Sequence, residues 1–336
     1  MRNTHLSALV LLYTCIWSVS SKAMSSSGNL TTVCVPPSDE YYNSLVRTNL
    51  ATFHKNLDAG QPGANAAFFA PDLHWHYDGS ILVTREVGIA ALVGLVESAL
   101  KGVNAQDTYK IVDGNRGATL FRIRGKQSGP FLGLPLQSDG QFNVQVAERF
   151  TFDSDALARD LVTTTPVSIM KEQMSGSIDV SAPLENISLP QNPQSPHHFR
   201  DRIRKIMSAL HLHANDGTFA AAAESAIPNV VVDENGSISH GKDAFIALIT
   251  SKSAGRGAFP SKLFHDFEVL ADGKLGAVDF IWQGAQQSRY MDIEVKESAV
   301  VTVRGMLFFE FNGDGLIEKA VGVWDEGVVE AALTMV

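Results

Sequence analysis

The chain has 336 residues, of which 45% are hydrophobic, and its formal net charge is −9. This length is large for one domain and suits two domains of ordinary size, each with enough apolar residues for its own core. The acidic balance and the lack of a Lys/Arg cluster argue against a surface that follows nucleic-acid phosphates. The one basic run, at 197–205, is better explained as the start of a helix.

The first 23 residues have the layout of a secretory signal. Arg2 precedes an apolar run from Leu6 to Trp17 that is too short to span a bilayer comfortably, and small residues follow it. We expect cleavage after Ser20 or Ala23, and therefore a protein that is secreted or lies in the lumen of the secretory pathway. A retained signal anchor is the alternative.

The mature chain would keep one cysteine, Cys34, because Cys15 lies within the expected signal. It can form no intramolecular disulfide, so both a free thiol and a bridge between two chains remain open. Three Asn-X-Ser/Thr triplets, at Asn29, Asn186 and Asn235, are candidate glycosylation sites.

The mature chain contains one pattern twice. The stretch FFAPDLHWHYDGS at 68–80 is echoed by SAIPNVVVDENGS at 225–237. Two later turns match at an offset of 159: DGNRGA faces DGKLGA, and ERFTFDSDAL faces FFEFNGDGLI, with Phe152 opposite Phe311. Three matches in one order predict two copies of one fold. Two unrelated α+β domains that share turn chemistry are the alternative.

The spacing of apolar residues predicts the same element order in both copies. In the first copy we predict helices at 39–58, 64–69 and 85–100 and strands at 73–77, 108–112, 119–125, 142–152 and 161–169. In the second we predict helices at 202–215, 219–226 and 242–250 and strands at 230–234, 263–270, 276–282, 298–311 and 316–324. Helices that precede a sheet make an α+β fold with the helices on one face.

The stretch between the copies, 175–196, holds four prolines and few large apolar residues, which is typical of an extended linker. The predicted organisation is a signal peptide at 1–23, a disordered lead-in at 24–40, a first domain at 41–174, a linker at 175–200 and a second domain at 201–336.

The element order, the Phe-Ala-Pro-Asp lead into Leu73-His-Trp-His-Tyr-Asp-Gly and the two closing turns resemble the NTF2-like superfamily. Within it, the nearest groups are the SnoaL-like polyketide cyclases and the ketosteroid isomerase-like proteins. The resemblance covers 48–170 and 202–327 and is one of fold more than of activity. It implies two tandem cone-shaped domains, each with a curved antiparallel sheet packed against N-terminal helices, and an apolar pocket where acid/base residues shift protons on a small carbocycle.

The resemblance places a general base near the end of the first strand, five residues after the aspartate of the lead-in. Counting from Asp72 reaches Tyr77 in the first copy. Counting from the matching Asn229 reaches Glu234, so only the second copy keeps a carboxylate there. Strand alternation puts Glu234 on the face of Val232, where desolvation would raise its pKa and make it a usable base. A solvated glutamate in a turn is the alternative.

In the first copy, Trp75 and Tyr77 share the apolar face, while His74 and His76 lie opposite. Two histidines at i and i+2 can contribute to a metal site, and His54 is the nearest other histidine, but a solvated face or a His-Asp hydrogen bond is the simpler explanation. We therefore predict no metal and no cofactor. The Trp-His pair resembles the cyclases, which makes His76 a candidate acid/base.

The family's second acid donates a hydrogen bond to the enolate, and it matches Glu148 in the first copy and Leu307 in the second. The tyrosine of the isomerases' first helix has no counterpart, since Phe53 and Leu210 fall near its position. Neither copy has the full isomerase set, so steroid isomerisation is not expected. The candidate catalytic residues are Glu234, His76, Tyr77 and Glu148.

Other polar or aromatic residues near the predicted strands are candidates to line a pocket. An arginine that faces a closed cavity would favour an anionic substrate, whereas outward-facing salt bridges are the plainer explanation. The predicted substrate-binding residues are Trp75, Val232, Trp282, Arg289, Trp324 and Asp325.

The sequence has no Gly-rich phosphate loop, nucleophile elbow, HExxH or CxxC pattern, which argues against NTPase, α/β-hydrolase, zincin and thioredoxin-like roles. We expect a cofactor-independent enzyme that isomerises, cyclises or dimerises a small hydrophobic carbonyl compound in secondary metabolism. Fungal cyclases that couple maleic anhydride units are a candidate subgroup by resemblance. Glu234 would abstract an acidic C–H proton, and Trp282, Arg289 or Asp325 would stabilise the enolate.

Two alternatives remain open. The first is a non-catalytic secreted protein that carries a lipid-like small molecule in its pocket. The second is a scaffold whose sheet faces pair with each other within the chain, in a homodimer, or with a partner. Under each hypothesis we expect no nucleic acid and no stable membrane insertion.

Overall fold

The computed structural model describes residues 40–77, 80–180, 197–251, 257–295 and 299–334. The expected signal peptide, Cys34, the sequons at Asn29 and Asn186, and most of the linker lie outside the described residues. No helix in the described part of the chain is long and apolar enough to cross a membrane.

The first unit begins with helix α1 (Glu40–Asp58) and a short 3₁₀ helix (Pro62–Ala67). Strands β1 (Phe69–Tyr77) and β2 (Ser80–Val83) lead to helix α2 (Arg85–Gly94), which ends in a π-helical turn (Leu95–Ala99). Then come strands β3 (Leu100–Asp113), β4 (Arg116–Gln127), β5 (Gln141–Phe152) and β6 (Ala158–Thr164), and helix α3 (Val167–Ser175).

The second unit repeats this order. Helices α4 (His197–Asn215) and α5 (Phe219–Glu224) precede strands β7 (Ala226–Glu234) and β8 (Ser237–His240) and helix α6 (Lys242–Ile249). Strands β9 (Leu263–Asp272), β10 (Leu275–Ala285), β11 (Val300–Phe311) and β12 (Ile317–Trp324) follow, and helix α7 (Gly327–Thr334) comes last.

Both sheets have six strands and the same strand order, β2-β1-β6-β5-β4-β3 and β8-β7-β12-β11-β10-β9. The predicted fold class, two α+β units with helices against a sheet, is therefore confirmed. The expectation of wholly antiparallel sheets is wrong at one pairing in each unit, because β1 runs parallel to β6 and β7 runs parallel to β12. The first strand lies between its own hairpin partner and the last strand, so each sheet is mixed.

Several element boundaries differ from the sequence prediction, among them the starts of β1 and β7, which both lie four residues earlier than predicted. Two of the differences have clear local reasons. Strand β3 begins at Leu100 and not near residue 108, because register shifts at 101–104 and 107–109 interrupt the alternation that marks a strand. Strand β6 ends at Thr164, and Pro166 occupies the position before helix α3. Proline removes a backbone donor and fixes φ, which favours a strand end and a helix start.

Each sheet has an inner face, which packs against the helices of its own unit, and an outer face, which packs against the other unit. In the second unit, Met207 and Leu210 of α4 and Phe245 of α6 pack on Phe280 and Phe309 of the inner face. In the first unit, helix α1 buries Leu50 and Phe53 in the same way. The inner faces thus hold the two main cores.

The outer faces form a third apolar cluster that joins the two units. It contains, among others, Tyr109, Ile111 and Leu120 from the first sheet and Leu270, Met306 and Phe308 from the second. All six side chains are at most 2% exposed. The contact between the two outer faces, called the joint below, therefore excludes solvent from apolar surface that each sheet would otherwise expose.

Two aspartates at matching positions of the repeat link the units reciprocally. The carboxylate of Asp272 accepts a hydrogen bond from the Val112 N–H at 2.8 Å and pairs with Arg47 at 2.6 Å. Asp113 accepts a hydrogen bond from the N–H just before Asp272 at 3.0 Å and pairs with Arg204 at 2.6 Å. The DGNRGA and DGKLGA turns therefore repeat in the sequence because each one fastens the other unit.

A buried ion cluster lies beside this joint. Asp279 is 2% exposed, and its carboxylate is 3.1 Å from Nε of Arg149 and 2.5 Å from Nη2 of Arg304. Arg149 also pairs with Asp160 at 3.0 Å and with Glu268 at 3.4 Å. Arg149 and Arg304 thus share one carboxylate that water does not reach.

We expect Asp279→Ala to lower the free energy of unfolding by about 3–5 kcal/mol, because it removes the buried carboxylate that Arg149 and Arg304 share. Urea titration of the intact protein measures the change. Arg289→Ala is the control, since the ion pairs of Arg289 are more than half exposed and their loss should change the free energy by less than about 0.5 kcal/mol. Equal effects of the two substitutions would contradict this account of the joint.

Candidate functional site

Glu234 is the last residue of β7, where it pairs with Gly322 of β12. Val230 and Val232 precede it on the inner face and are buried in the core of the second unit. Asp233 points the other way and accepts a hydrogen bond from Nε2 of Gln145 in the first unit at 2.7 Å. The carboxylate of Glu234 therefore lies on the apolar side of its strand.

Burial raises the pKa of Glu234 to about 7, with a further increase from the nearby Glu326 carboxylate and a smaller opposing effect of the Lys262 ammonium. A carboxyl group with this pKa is about half ionised near neutral pH, where it can both accept and return a proton.

Lys262 is a cation that acts on the carboxylate of Glu234. Burial lowers its pKa to about 8, against the opposing charges of Glu326 and Glu234. Its Nζ donates a hydrogen bond to the backbone carbonyl of Ser251 and lies 4.7 Å from the centre of the Trp282 ring. An ammonium at this distance over an aromatic face is attracted by the ring quadrupole.

Two tryptophans occupy the inner face of the second sheet. Trp282 and Trp324 are both 0% exposed, and their indole Nε1 atoms have no hydrogen-bond partner among the described residues. In the first unit, by contrast, Nε1 of Trp75 donates to Oγ1 of Thr163 at 3.0 Å. The residue that matches Thr163 at the repeat offset of 159 is Gly322, which has no acceptor side chain.

Asn235 fixes the backbone of Trp324 on both sides. Its Oδ1 accepts a hydrogen bond from the Trp324 N–H at 3.2 Å, and its Nδ2 donates to the Trp324 carbonyl at 3.1 Å. The side-chain amide of Asn235 thus has a structural role, and a glycan attached to Nδ2 would compete with the second of these bonds. Glycosylation at the three sequons stays a prediction.

The first unit holds a buried cluster of ionisable residues around a histidine of helix α1. His54 of α1 is 2% exposed, with its Nδ1 hydrogen-bonded to Asp107 and its Nε2 3.3 Å from Oε2 of Glu148. Burial lowers the pKa of His54, but the two carboxylates outweigh it and raise that pKa to about 9. Lys110 pairs with Asp107 at 2.9 Å and completes the cluster.

The structure thus gives Glu148 a partner that sequence reasoning missed. The carboxylate contacts the imidazole of His54 and the hydroxyl of Thr119, both at 3.3 Å. A signal for this cluster was present in the repeat: His54 matches His211 at an offset of 157, and Asp107 matches Asp266 at 159.

The second unit keeps only half of this arrangement. Nδ1 of His211 is hydrogen-bonded to Asp266, but Leu307 replaces Glu148, and Nε2 of His211 has no partner among the described residues. Its ring stacks on Phe264 at 4.7 Å and at an interplanar angle of 11°. A surface groove of about 330 Å³, lined in part by His211, Phe264 and Phe267, runs between α4 and β9 and does not include Glu234.

His76 does not lie with the core of the first unit. Its Nε2 is 3.5 Å from the carboxylate of Asp160, which also pairs with Arg149 at the joint between the units. It therefore belongs to the outer face, as strand alternation predicts, and a role as acid or base in the inner pocket does not match this position. Tyr77 pairs through its backbone with Thr163, and its side chain lies outside what the structure describes.

Two predicted pocket residues occupy other places. Arg289 lies in the connection after β10, where its exposed side chain pairs with Asp292 at 3.4 Å and Glu294 at 3.5 Å. Asp325 accepts hydrogen bonds from the backbone and hydroxyl of Ser168, at 3.1 Å and 2.5 Å, and so tethers the start of α3. Both side chains form contacts of a structural kind, and the prediction that they stabilise an enolate does not fit these positions.

The remaining predicted residues lie in the two cores. Trp75 packs in the first unit, while Val232, Trp282 and Trp324 pack in the second with Glu234 at the end of the neighbouring strand. Within the described ranges, no three His, Cys, Asp or Glu side chains are arranged to hold a metal ion. The core of the second unit is therefore where three of the six predicted binding residues lie near the predicted base.

No protein-family model and no curated protein sequence matches the chain. Solved structures do. A protein described as a SnoaL-like polyketide cyclase from Jannaschia sp. CCS1 is 17% identical, with a TM-score of 0.38 over 42% of this chain and 98% of that one. IdmH from Streptomyces antibioticus, described as a polyketide cyclase, is 18% identical, with a TM-score of 0.34 over 39% and 98%.

A protein described as a ketosteroid isomerase from Kribbella flavida is 16% identical, with a TM-score of 0.28 over 37% of this chain and 78% of that one. These three structures are described as SnoaL-like or polyketide cyclases and as a ketosteroid isomerase, the groups that the sequence resembles. Each similarity extends over about 40% of the chain, which is the length of one unit. At these identities and TM-scores the likeness says nothing about chemistry.

We expect the wild-type protein to lose stability as the pH rises through about 9, the raised pKa of His54, and to keep the full contribution of His54 below its ordinary value of 6.5. The loss should be roughly 3 kcal/mol, because a folded-state pKa above the unfolded one stabilises only while the proton is bound. Urea unfolding at pH 6.5 and pH 10 measures it.

His54→Gln should flatten this pH dependence, since it removes the group that titrates. His74→Gln, at an exposed position of the same unit, is the matched control and should retain the slope of the wild type. An unchanged slope in His54→Gln would show that the buried imidazole is not the cation that the two carboxylates hold.

Proposed function

We propose that this protein is a cofactor-independent enzyme of the isomerase or cyclase kind, which acts by proton transfer on a small hydrophobic carbonyl compound in secondary metabolism. The second unit carries the reaction, and Glu234 is the general base. The observation that carries this proposal is the set of polar groups on the inner face of the second sheet. Glu234 has its carboxylate on the apolar side of its strand and a pKa raised to about 7, and Lys262 lies within its electrostatic environment. Two indole N–H groups of the same face have no partner among the described residues.

The chemistry follows from the charges. The carboxylate of Glu234 takes a proton from the carbon next to a carbonyl group, and the electron pair of that C–H bond moves to the carbonyl oxygen. An enolate in a desolvated site needs positive charge or preorganised donors, which the Lys262 ammonium and the indole N–H groups can supply. Return of the proton to another carbon gives isomerisation; attack of the enolate carbon on a second carbonyl gives cyclisation.

The two copies support different roles. At the position of Glu234 the first copy has Tyr77, and at the positions of Trp282 and Trp324 it has Ile123 and Thr165, again at the repeat offsets. Its buried charges, His54 and Glu148 among them, are paired with one another. We assign the first unit to support of the second, whose outer face it covers.

The test of this proposal is a metabolite comparison in the source organism. The coding sequence is left intact, deleted, or changed to Glu234→Gln, which keeps the size of the side chain but cannot accept the proton. We expect deletion and Glu234→Gln to accumulate the same precursor, with product formation in the variant reduced by about 100-fold or more. Glu330→Gln, an exposed glutamate of α7, is the matched control and should behave as the wild type.

Other outcomes separate the alternatives. A carrier would tolerate Glu234→Gln and fail when Val232→Phe fills the inner face. A scaffold would tolerate both substitutions and fail when the outer-face joint is disrupted. If Glu234→Gln matches the wild type while deletion changes the yield, Glu234 is not the base.

With the accumulated precursor as substrate, kcat/KM should rise with pH up to about 7, because Glu234 must lose its proton to act as the base. It should fall above about 8, where Lys262 loses the charge that stabilises the enolate. In Lys262→Met the falling limb should disappear and the rising limb should move to higher pH, because the cation that lowers the pKa of Glu234 is gone. A pH profile that Lys262→Met leaves unchanged would remove Lys262 from the site.

A further inference from the structure

The two unpaired indole groups are unusual for a core. A buried donor without a partner costs about 1–3 kcal/mol, so most buried polar groups find one. Within the part of the chain that the structure describes, Trp282 and Trp324 both lack such a bond, while Trp75 of the first unit makes one. Neither indole N–H has an acceptor among the described residues, so these donors point to an acceptor that comes from outside the chain.

The pairing of the strands shows where the two donors lie. Trp324 pairs with Gly305, and Gly305 pairs in turn with Phe280 of β10. Trp282 lies two residues further along β10 on the same face. One intervening strand and one step of two residues separate the two Cα atoms by roughly 12 Å, from the usual strand spacing and rise.

The two indole rings belong to different groups of residues. The ring of Trp324 lies over Gly322, since a Cβ placed there would be 2.6 Å from Cζ3 of Trp324. Gly322 is the residue that pairs with Glu234, so this ring leans toward the base. Any side chain larger than hydrogen at Gly322 would displace the ring.

The ring of Trp282 instead packs with Phe259, at 5.5 Å between centroids, and lies under Nζ of Lys262 at 4.7 Å. Trp282 lies beside Val303 of β11, two residues beyond the point where Trp324 pairs with Gly305. The ring of Trp324 extends in the opposite direction, toward Gly322. One ligand atom cannot therefore satisfy both N–H groups.

The charges around Lys262 determine which kind of acceptor the N–H group of Trp282 can bind. Glu234 and Glu326 both act on the ammonium of Lys262, so this cation already faces two carboxyl groups. A ligand carboxylate at this point would add a further negative charge close to them. An uncharged acceptor oxygen meets the Trp282 N–H without that repulsion.

Building on the proposed function, we propose that Trp324 and Trp282 form a two-point recognition site, and that the substrate is a neutral dicarbonyl compound. Trp324 binds the oxygen of the carbonyl whose neighbouring carbon Glu234 deprotonates. Trp282, beside Lys262, binds a second carbonyl oxygen, of a ketone, ester or lactone, at the far end of the molecule. The spacing of the donors then selects the substrate by length.

The test uses protein labelled with ¹⁵N and the indole N–H signals of its tryptophans. The probes are cyclohexane-1,4-dione, cyclohexanone and 4-oxocyclohexanecarboxylate, which share one ring and differ in the second oxygen function. We expect the dione to shift the signals of both Trp282 and Trp324. The signal of Trp75, whose N–H is already bonded to Thr163, should stay in place as the internal control.

We expect cyclohexanone to bind about 3- to 10-fold more weakly than the dione, the effect of one hydrogen bond. Trp282→Phe should remove that preference and keep the aromatic packing. A Trp282 signal that the dione does not move in the unmutated protein overturns the proposal, as does a preference for the dione that survives in Trp282→Phe. Tighter binding of the carboxylate than of the dione overturns the assignment of an uncharged oxygen.

Failure of this proposal and failure of the proposed function can be told apart. Glu234→Gln should keep both indole shifts, because the substitution leaves the donors in place. If the shifts appear and Glu234→Gln also keeps full product formation, the recognition site stands and the general base is wrong. If Glu234→Gln stops product formation and no indole signal moves with any probe, the base stands and the two-point site is wrong.

Discussion

The contact between the outer faces of the two sheets is the constraint on which the rest of the molecule depends. A sheet with apolar residues on both faces needs cover on both. The helices of each unit cover the inner face, and the other unit covers the outer one, through Tyr109 and Phe308 at the centre. The exchanged aspartates, Asp113 and Asp272, close the joint from both sides with a hydrogen bond and an ion pair each. Their reciprocity explains why the turns that hold them stayed alike while most of the two copies diverged.

With the outer faces committed to each other, the inner faces were free to differ. The first unit fills its inner face with groups that satisfy one another: an imidazole between the carboxylates of Asp107 and Glu148, and an indole bonded to a threonine. The second unit replaces that glutamate with Leu307 and the threonine with Gly322, and places a desolvated carboxyl group at the strand end. A core with unmet donors is less stable than one without, and such departures from local consistency are expected where a protein binds or reacts. The asymmetry between the copies is thus the strongest argument for placing function in the second.

Much of the fold and part of the candidate site could be predicted from the sequence. The repeat, the order of the elements and the face on which Glu234 lies all follow from patterns within one strand or one turn, since alternation and turn chemistry are local. Contacts between distant segments were less accessible. His54 and Asp107 are 53 residues apart in the chain, and a single copy gives no reason to pair them. Only the matching pair His211 and Asp266 in the second copy carries that information, and it is visible only when the copies are compared.

The sequence by itself determined two copies of an α+β fold, and it determined that only the second copy has a carboxylate at the end of its first strand. It did so because a repeat and a strand period are properties of neighbouring residues. The tertiary structure decided what surrounds that carboxylate. In the folded protein, Arg289 lies in an exposed connection, and Asp325 accepts hydrogen bonds from the start of helix α3. Lys262 lies in the electrostatic environment of Glu234. These positions depend on which strands pair and in what register, and that is set by burial of whole faces, which no single segment encodes.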